Sequence, residues 1–392
     1  MTDRNGQNSS FAELGIEESL SERLAQSGIT EPTAVQAQAI PEIAAGKSVL
    51  FQSETGTGKT LAYLLPIAQA GKKAIVLAPT IELASQIKAQ AVSLGKKAGL
   101  FVGGAPIKRQ IETLKEKPEI AIGTPARLLE LHHLKKLKLR EFSAVILDEA
   151  DRLISPELRD ATAATVEALV SANSSAQIIA CSATISKQTE RIIGESAGGT
   201  DFVTLRLPME DVLRKRITHI ALFAERRDKI ETLRKLLIAE KPAKALVFTS
   251  KLDQVANIVA KLKYRNVEVE GLHAKTDKVV RKSIIDKFRS GKLKVLVTSD
   301  LTSRGLDIPE ISHIIQMDLP SNDDFFIHRA GRTARARKTG LNIVIGDAYE
   351  MRKYASLEKR LGIFVTPKML YKGKLVIPSD IDSPEPAAPE QP

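Results

Sequence analysis

The sequence predicts an α/β protein of two tandem domains, each built on a parallel sheet. Three observations lead there. At 392 residues the chain exceeds a single domain of roughly 100–200 residues, and either half is long enough to bury its own core. Short β-branched runs closed by turn or polar residues recur along it, separated by helix-period stretches, the alternation that gives parallel strands with crossover helices. The charge is also split, with 22 basic and 23 acidic side chains in residues 1–205 against 36 and 20 in residues 206–375.

In chain order, residues 1–10 hold no apolar pattern and form a flexible start. Strands are expected at Val49–Gln52, Ala74–Ala78, Ile120–Ile122, Ala144–Leu147 and Gln177–Ala180, with helices such as Leu61–Gln69 and Glu82–Leu94 between them, making a first domain of residues 11–205. Pro208 and crowded charges of both signs mark a linker at 206–216. The second domain, 217–375, repeats the style with strands at Ala245–Phe248, Val267–Glu270, Val295–Thr298, His313–Gln316 and Asn342–Ile345 and helices at Leu252–Leu262 and Lys278–Arg289. Residues 376–392 hold four acidic and no basic side chains, are rich in Pro and have little to bury, so a disordered tail is expected.

Composition excludes several classes. The single Cys181 cannot form an intramolecular disulfide or a zinc-cysteine cluster, and it suits a reducing compartment. None of the six His is spaced with acids or Cys as a metal ligand. No run approaches the ~18 apolar residues of a membrane span, and MTDRNGQNSS lacks a signal-peptide core, so a soluble cytoplasmic protein is expected. The net charge of +11, concentrated in the second half, suits a polyanion, while the absence of Trp and 4% aromatic content speak against recognition mainly by base stacking.

The chemistry is written first at residues 53–60. A strand runs into Ser53-Glu54-Thr55-Gly56-Thr57-Gly58-Lys59-Thr60, and the helix-like LAYLLPIAQ follows at once. This is a phosphate loop in its required context. Gly56 and Gly58 let backbone N–H groups curl around phosphate oxygens at a helix N-terminus, Lys59 reaches the β/γ-phosphates, and the Thr60 hydroxyl can ligate Mg²⁺. Ser53 stands where the strict pattern has Gly. A phosphate loop needs a carboxylate at the end of a neighbouring buried strand, and Ala144–Leu147 leads into Asp148-Glu149-Ala150-Asp151. Asp148 is placed to hold Mg²⁺, largely through water, and Glu149 to act as base for the attacking water.

The order GTGKT, DEAD and Ser182-Ala183-Thr184 resembles the DEAD-box ATP-dependent RNA helicases, in a short bacterial-type form without a large appended domain, over roughly residues 11–365. The resemblance implies two RecA-like domains that share one ATP site and clamp one RNA strand on closing. It implies that Phe11 and Gln36 read adenine, the amide of Gln36 offering both a donor and an acceptor. It implies that Asp307 accepts from the ribose hydroxyls and that Arg332 and Arg335 act as arginine fingers. Ser182, Thr184, Asp151, His328 and Arg329 would couple the ATP site to domain movement, with His328 and Arg329 wiring the site to the first domain. Pro79, Thr80, Gly103, Gly104, Thr124 and Arg127 in the first domain, with Thr249, Arg281, Thr298 and Arg304 in the second, would contact RNA.

Several positions depart from the family pattern. Ile81 stands where Arg is usual, Ala126 and Ala334 where Gly is usual, Lys278 where Gln is usual and Lys275 where Asp is common. Ile81 removes a cationic RNA contact, which Lys278 partly offsets, and Ala334 is tolerable if that residue is helical. The expected activity is RNA-dependent ATP hydrolysis coupled to local duplex unwinding or ribonucleoprotein remodelling, with ATP and Mg²⁺ as cofactors and single-stranded or short duplex RNA as a weakly sequence-dependent partner. Ribosome assembly intermediates are further partners in view, and the protein is expected to be a monomer. The alternative is an ATP-gated RNA clamp or assembly factor with little unwinding.

Overall fold

The structure, a computed structural model of the full chain, describes all residues except 1–9, 54–56, 184, 207–211, 274–275, 300–307, 309, 321, 335–337 and 381–392, together with the side chains of 212, 252, 278 and 380. The chain divides into two compact units that part between Glu210 and Asp211.

The first unit is a seven-stranded sheet of β1 (Val49–Gln52), β2 (Ala74–Leu77), β3 (Ala98–Phe101), β4 (Ile120–Gly123), β5 (Ala144–Asp148), β6 (Gln177–Ser182) and β7 (Val203–Arg206), in the order β3-β4-β2-β5-β6-β1-β7. Every pairing in it is parallel. Strands β2, β4, β5 and β6 are buried along their whole length, because helices cover both faces and every side chain must be apolar or satisfied. Separate apolar clusters form on the two faces, one including Phe51, Tyr63 and Ile146, the other Leu50, Val145 and Leu147.

The second unit is an eight-stranded sheet of β8 (Ile217–Phe223), β9 (Ala245–Phe248), β10 (Glu270–Leu272), β11 (Val295–Thr298), β12 (His313–Gln316), β13 (Gly340–Gly346), β14 (Val365–Tyr371) and β15 (Lys374–Val376). Its order is β10-β11-β9-β12-β13-β8-β14-β15, parallel except for the terminal hairpin of β14 and β15.

The structure corrects the expected elements at identifiable places. Strands β3, β7, β8, β14 and β15 lie outside the expected set. The strand expected at Val267–Glu270 begins instead at Glu270, since the Val267 N–H still donates to the Leu262 carbonyl and closes the preceding helix. A 3-10 turn at Pro378–Asp380 lies inside the segment expected to be tail. Among the described residues no helix is long and apolar enough to cross a membrane.

Candidate functional site

Because every strand of the first sheet runs the same way, all its carboxyl ends meet one edge, and the strand order sorts the candidates along that edge. Ser53 follows β1, Ser182 ends β6 and Asp148 ends β5, three adjacent strands. The registers fix this neighbourhood, with Gln52 opposite Ser182 and Asp148 opposite Cys181. Pro79 and Thr80 follow β2, Thr124 follows β4, and Gly103 and Gly104 lie just beyond β3, three further adjacent strands on the other side of β5. The nucleotide candidates and the first-domain RNA candidates thus form two contiguous groups on one edge.

The described residues of the candidate phosphate loop are tied to one another and to β6. The Ser53 N–H donates to the Ser182 carbonyl at 2.9 Å, the Ser53 and Thr57 hydroxyls are hydrogen-bonded at 2.5 Å, and the Lys59 ammonium donates to the Ser53 carbonyl at 2.9 Å. Gly58, at φ 89°, caps the helix Lys59–Gln69 in a left-handed conformation that favours glycine. Gln36 is buried in the third position of the helix Ala34–Ala44, where its Oε1 accepts from the Thr33 N–H at 2.9 Å in a capping box and its Nε2 donates to the Gly58 carbonyl at 3.1 Å. One lone pair and one N–H of that amide exceed these two bonds, which is the capacity an adenine edge requires. Phe11 lies in the same core as Val35 and Leu61. Glu54, Thr55, Gly56, Thr184, Asp307, Arg304 and Arg335 lie outside the described residues.

Asp148 is almost wholly buried and held from both sides. The Tyr63 hydroxyl donates to Oδ2 at 2.8 Å, and Oδ1 accepts from the Cys181 thiol at 3.2 Å and from the Glu149 N–H at 2.9 Å. Burial raises the Asp148 carboxyl above its ordinary range, while Lys59 and the two side-chain donors work against burial. Burial beside Asp148 also raises the Tyr63 phenol and the Cys181 thiol, so both stay protonated as donors. Glu149 sits at φ 54° and accepts from Arg152 at 2.9 Å. The Asp148 carboxylate and the Thr60 hydroxyl are hard oxygen donors and fit Mg²⁺, which binds through few protein oxygens and keeps waters. Sequence reasoning missed Tyr63 and Cys181, which are hidden in the apolar strings LAYLLPIAQ and IIACS.

Among the first-unit RNA candidates, the Thr80 hydroxyl caps the helix Ile81–Ser93 by accepting from the Leu83 N–H, and Arg127 donates to the Ala105 carbonyl at 3.1 Å, bracing the loop of Gly103 and Gly104. Gln110 ties the same loop through the Val102 carbonyl. Ile81 is exposed. In the second unit Thr249 and Thr298 are buried at the ends of adjacent β9 and β11, the Thr249 N–H donating to the Thr298 carbonyl, with hydroxyls bonded to Asp318 and the Ser299 carbonyl. Arg281 is half-buried on the helix Lys278–Arg289.

One expectation in the arginine-rich segment changes. Ala334 is not helical: its φ of 56° is left-handed, so the glycine it replaces had a conformational reason. Arg329 is 1% exposed, and within its own unit the guanidinium donates to the Gln316 side chain, to the Asp318 carbonyl and to the Ser250 hydroxyl. His328 and Arg332 are buried as well.

Residues 33–192 match the DEAD/DEAH box helicase family, and residues 228–337 match the helicase conserved C-terminal domain. The chain is 35% identical over 361 residues to the DEAD-box ATP-dependent RNA helicase CshC of Bacillus cereus, covering 90% of this chain and 91% of that protein. It is 33% identical over 365 residues to the RNA helicase CrhR of Synechocystis, covering 90% and 73%. Among solved structures it is similar to S. cerevisiae Dbp5 bound to RNA and ADP BeF3, at 26% identity and a TM-score of 0.82 over 92% of this chain and 95% of that one.

Proposed function

Since the chain belongs to the DEAD-box ATP-dependent RNA helicases, we propose that it hydrolyses ATP in an RNA-dependent way and uses the cycle to open short RNA duplexes or remodel RNA–protein complexes. The observation that carries this reading is the sorting of the first sheet's edge. Phosphate loop, Asp148 and Ser182 occupy β1, β5 and β6, while Thr80, Gly103, Gly104 and Thr124 follow β2, β3 and β4 on the same edge.

In this reading Gln36 selects adenine, with Phe11 close to the base. Lys59 leaves the Ser53 carbonyl for phosphate oxygens, and Glu149 orients the attacking water. Thr60 and Asp148 would hold Mg²⁺, which when bound offsets phosphate charge. Arg332 and Arg335 would stabilise charge on the transferred phosphoryl group, and Asp307 would hold the ribose. Ser182, Thr184, Asp151, His328 and Arg329 would couple hydrolysis to RNA release. RNA would be held through its phosphates with weak sequence preference, with Arg127, Arg281 and Arg304 as cations. We place the protein in the cytoplasm as a monomer acting on ribosomal or other RNA–protein assembly intermediates.

The test measures ATP turnover with and without RNA, and strand release from a short labelled duplex. RNA-stimulated turnover that Lys59→Ala abolishes, with Glu149→Gln retaining ATP binding but staying on RNA, supports the reading. Normal turnover in either variant overturns the site assignment. RNA-stimulated turnover without strand release moves the function to an ATP-gated clamp.

A further inference from the structure

A chain of buried amides crosses the second sheet. Arg329 Nη1 donates to Gln316 Oε1 at 3.2 Å, Gln316 Nε2 donates to Asn342 Oδ1 at 2.8 Å, Asn342 Nδ2 meets His219 Nδ1 at 3.1 Å, and His219 Nε2 meets the Leu213 carbonyl at 2.8 Å. Gln316, Asn342 and His219 stand on the adjacent strands β12, β13 and β8, and Asn342 and His219 are direct cross-strand partners. All three side chains are buried.

The direction of every link is fixed by chemistry. A guanidinium only donates, so the Gln316 oxygen must face it and its NH₂ must face Asn342. The Asn342 oxygen is then the acceptor, and its NH₂ faces His219. A backbone carbonyl only accepts, so the imidazole carries its proton on Nε2 and leaves Nδ1 bare for Asn342. Four hydrogen bonds therefore point one way, from Arg329 to Leu213, and no member can rotate its amide without setting two donors or two acceptors against each other in a buried site.

The far end matters because Arg329 itself organises a strand-end cluster. Its guanidinium donates to Ser250 Oγ at 2.9 Å and to the Asp318 carbonyl at 2.8 Å, while the Asp318 carboxylate accepts from the Thr249 hydroxyl at 2.8 Å and from the Ser250 N–H. The near end, Leu213, lies in the π-helical turn Val212–Arg216 that leads into β8. His219 also packs against the helix that carries Arg329, with its ring stacked on Phe326 at 5.9 Å between centroids. The imidazole thus reaches Arg329 by two routes, through the amides and through the helix.

We propose that Gln316, Asn342 and His219 are positioning residues for Arg329, a one-way hydrogen-bond chain that lets the backbone at Leu213 set the pose of the guanidinium and, through it, of Thr249 and Ser250. The inference rests on the RNA-dependent ATPase reading, since only RNA-coupled turnover reports the pose. The chain spends three buried polar side chains where a parallel strand interior normally holds aliphatic ones, and a packing role alone does not require a uniform donor direction.

The experiment compares the full-length protein with His219→Leu, His219→Gln and Gln316→Met, reading basal and RNA-stimulated turnover, the KM for ATP, and thermal midpoint. His219→Leu removes both ring nitrogens, while glutamine can restore them in the same order, its NH₂ toward Leu213 and its oxygen toward Asn342. The expected result is a loss of about tenfold in RNA-stimulated turnover for His219→Leu with the KM for ATP within twofold of wild type, and recovery to within about threefold in His219→Gln. Gln316→Met keeps the volume, breaks the link beside Arg329 and carries the test if His219→Leu does not fold. Unchanged RNA stimulation in a folded broken-chain variant, or a glutamine variant as impaired as leucine, overturns the inference. Wild-type protein without RNA-stimulated turnover overturns the underlying reading instead.

Discussion

The side-chain nitrogen of Gln36 donates to the carbonyl oxygen of Gly58 at 3.1 Å, and the same nitrogen lies 2.4 Å from where a Cβ on Gly58 would stand. The residue expected to read the base and the residue that shapes the phosphate loop are therefore in one contact. Gly58→Ala meets two penalties, a left-handed backbone costing ~1–2 kcal/mol and a collision with the Gln36 amide. ATP binding should be lost while RNA binding without nucleotide persists. In the wild type, ATP should outcompete GTP by about 10²-fold, because guanine leaves buried polar groups unpaired. Equal competition by the two nucleotides in a fluorescent-nucleotide displacement assay contradicts the role of Gln36.

Tyr63→Phe deletes one of the donors on the buried Asp148 carboxylate without changing its packing. Leaving a buried acceptor short of a partner costs ~1–3 kcal/mol, so the unfolding midpoint should fall, and turnover should fall more than ATP affinity. A variant as stable and as fast as wild type shows that the clamp is dispensable.

Ala334→Gly relieves a left-handed alanine, and the gain is expected to be about 1 kcal/mol, read as a rise in denaturant midpoint at constant slope. A drop in midpoint means that the Ala334 methyl, which is buried, contributes more packing than its backbone strain removes.

His219 is lowered by burial from 6.5 to about 4, against the raising influence of the Leu213 carbonyl and of Glu358. Between those values the unfolded chain takes up a proton that the folded one refuses. The His219 contribution is whole above pH 6.5, declines as pH falls, and is gone below about pH 4, a loss of ~3 kcal/mol at 1.36 kcal/mol per unit. His313 is lowered too, by burial against its Glu240 partner, and adds in the same direction. Comparing wild type with His219→Gln in denaturant titrations from pH 4 to 7 isolates the His219 part, and parallel curves rule it out.

The parts of the fold legible in the sequence were those whose local string carries the whole message. Fully buried strands such as Ala144–Asp148 read as unbroken apolar runs, and GTGKT and DEAD each hold their chemistry in a few consecutive residues. The illegible parts depend on partners distant in the chain. Val203–Arg206 alternates between half-buried and exposed at a sheet edge, so it never forms an apolar run. Tyr63 and Cys181 meet Asp148 across 85 and 33 residues, and only the strand order brings them together. The left-handed Ala334 carries no signal in its own residue type, because nothing about alanine announces a glycine's backbone.

The Lys59 ammonium, resting on the Ser53 carbonyl, would make anion binding at the proposed phosphate loop partly an exchange of acceptors. An incoming ligand does not meet a bare cation, because one of the three ammonium N–H groups is already held by a neutral acceptor. A hydroxyl or a water offers nothing better than that carbonyl, whereas a phosphate oxygen adds full charge to the same geometry. In the proposed reading the lysine therefore discriminates by ligand charge, favouring a phosphate-bearing nucleotide over an uncharged nucleoside.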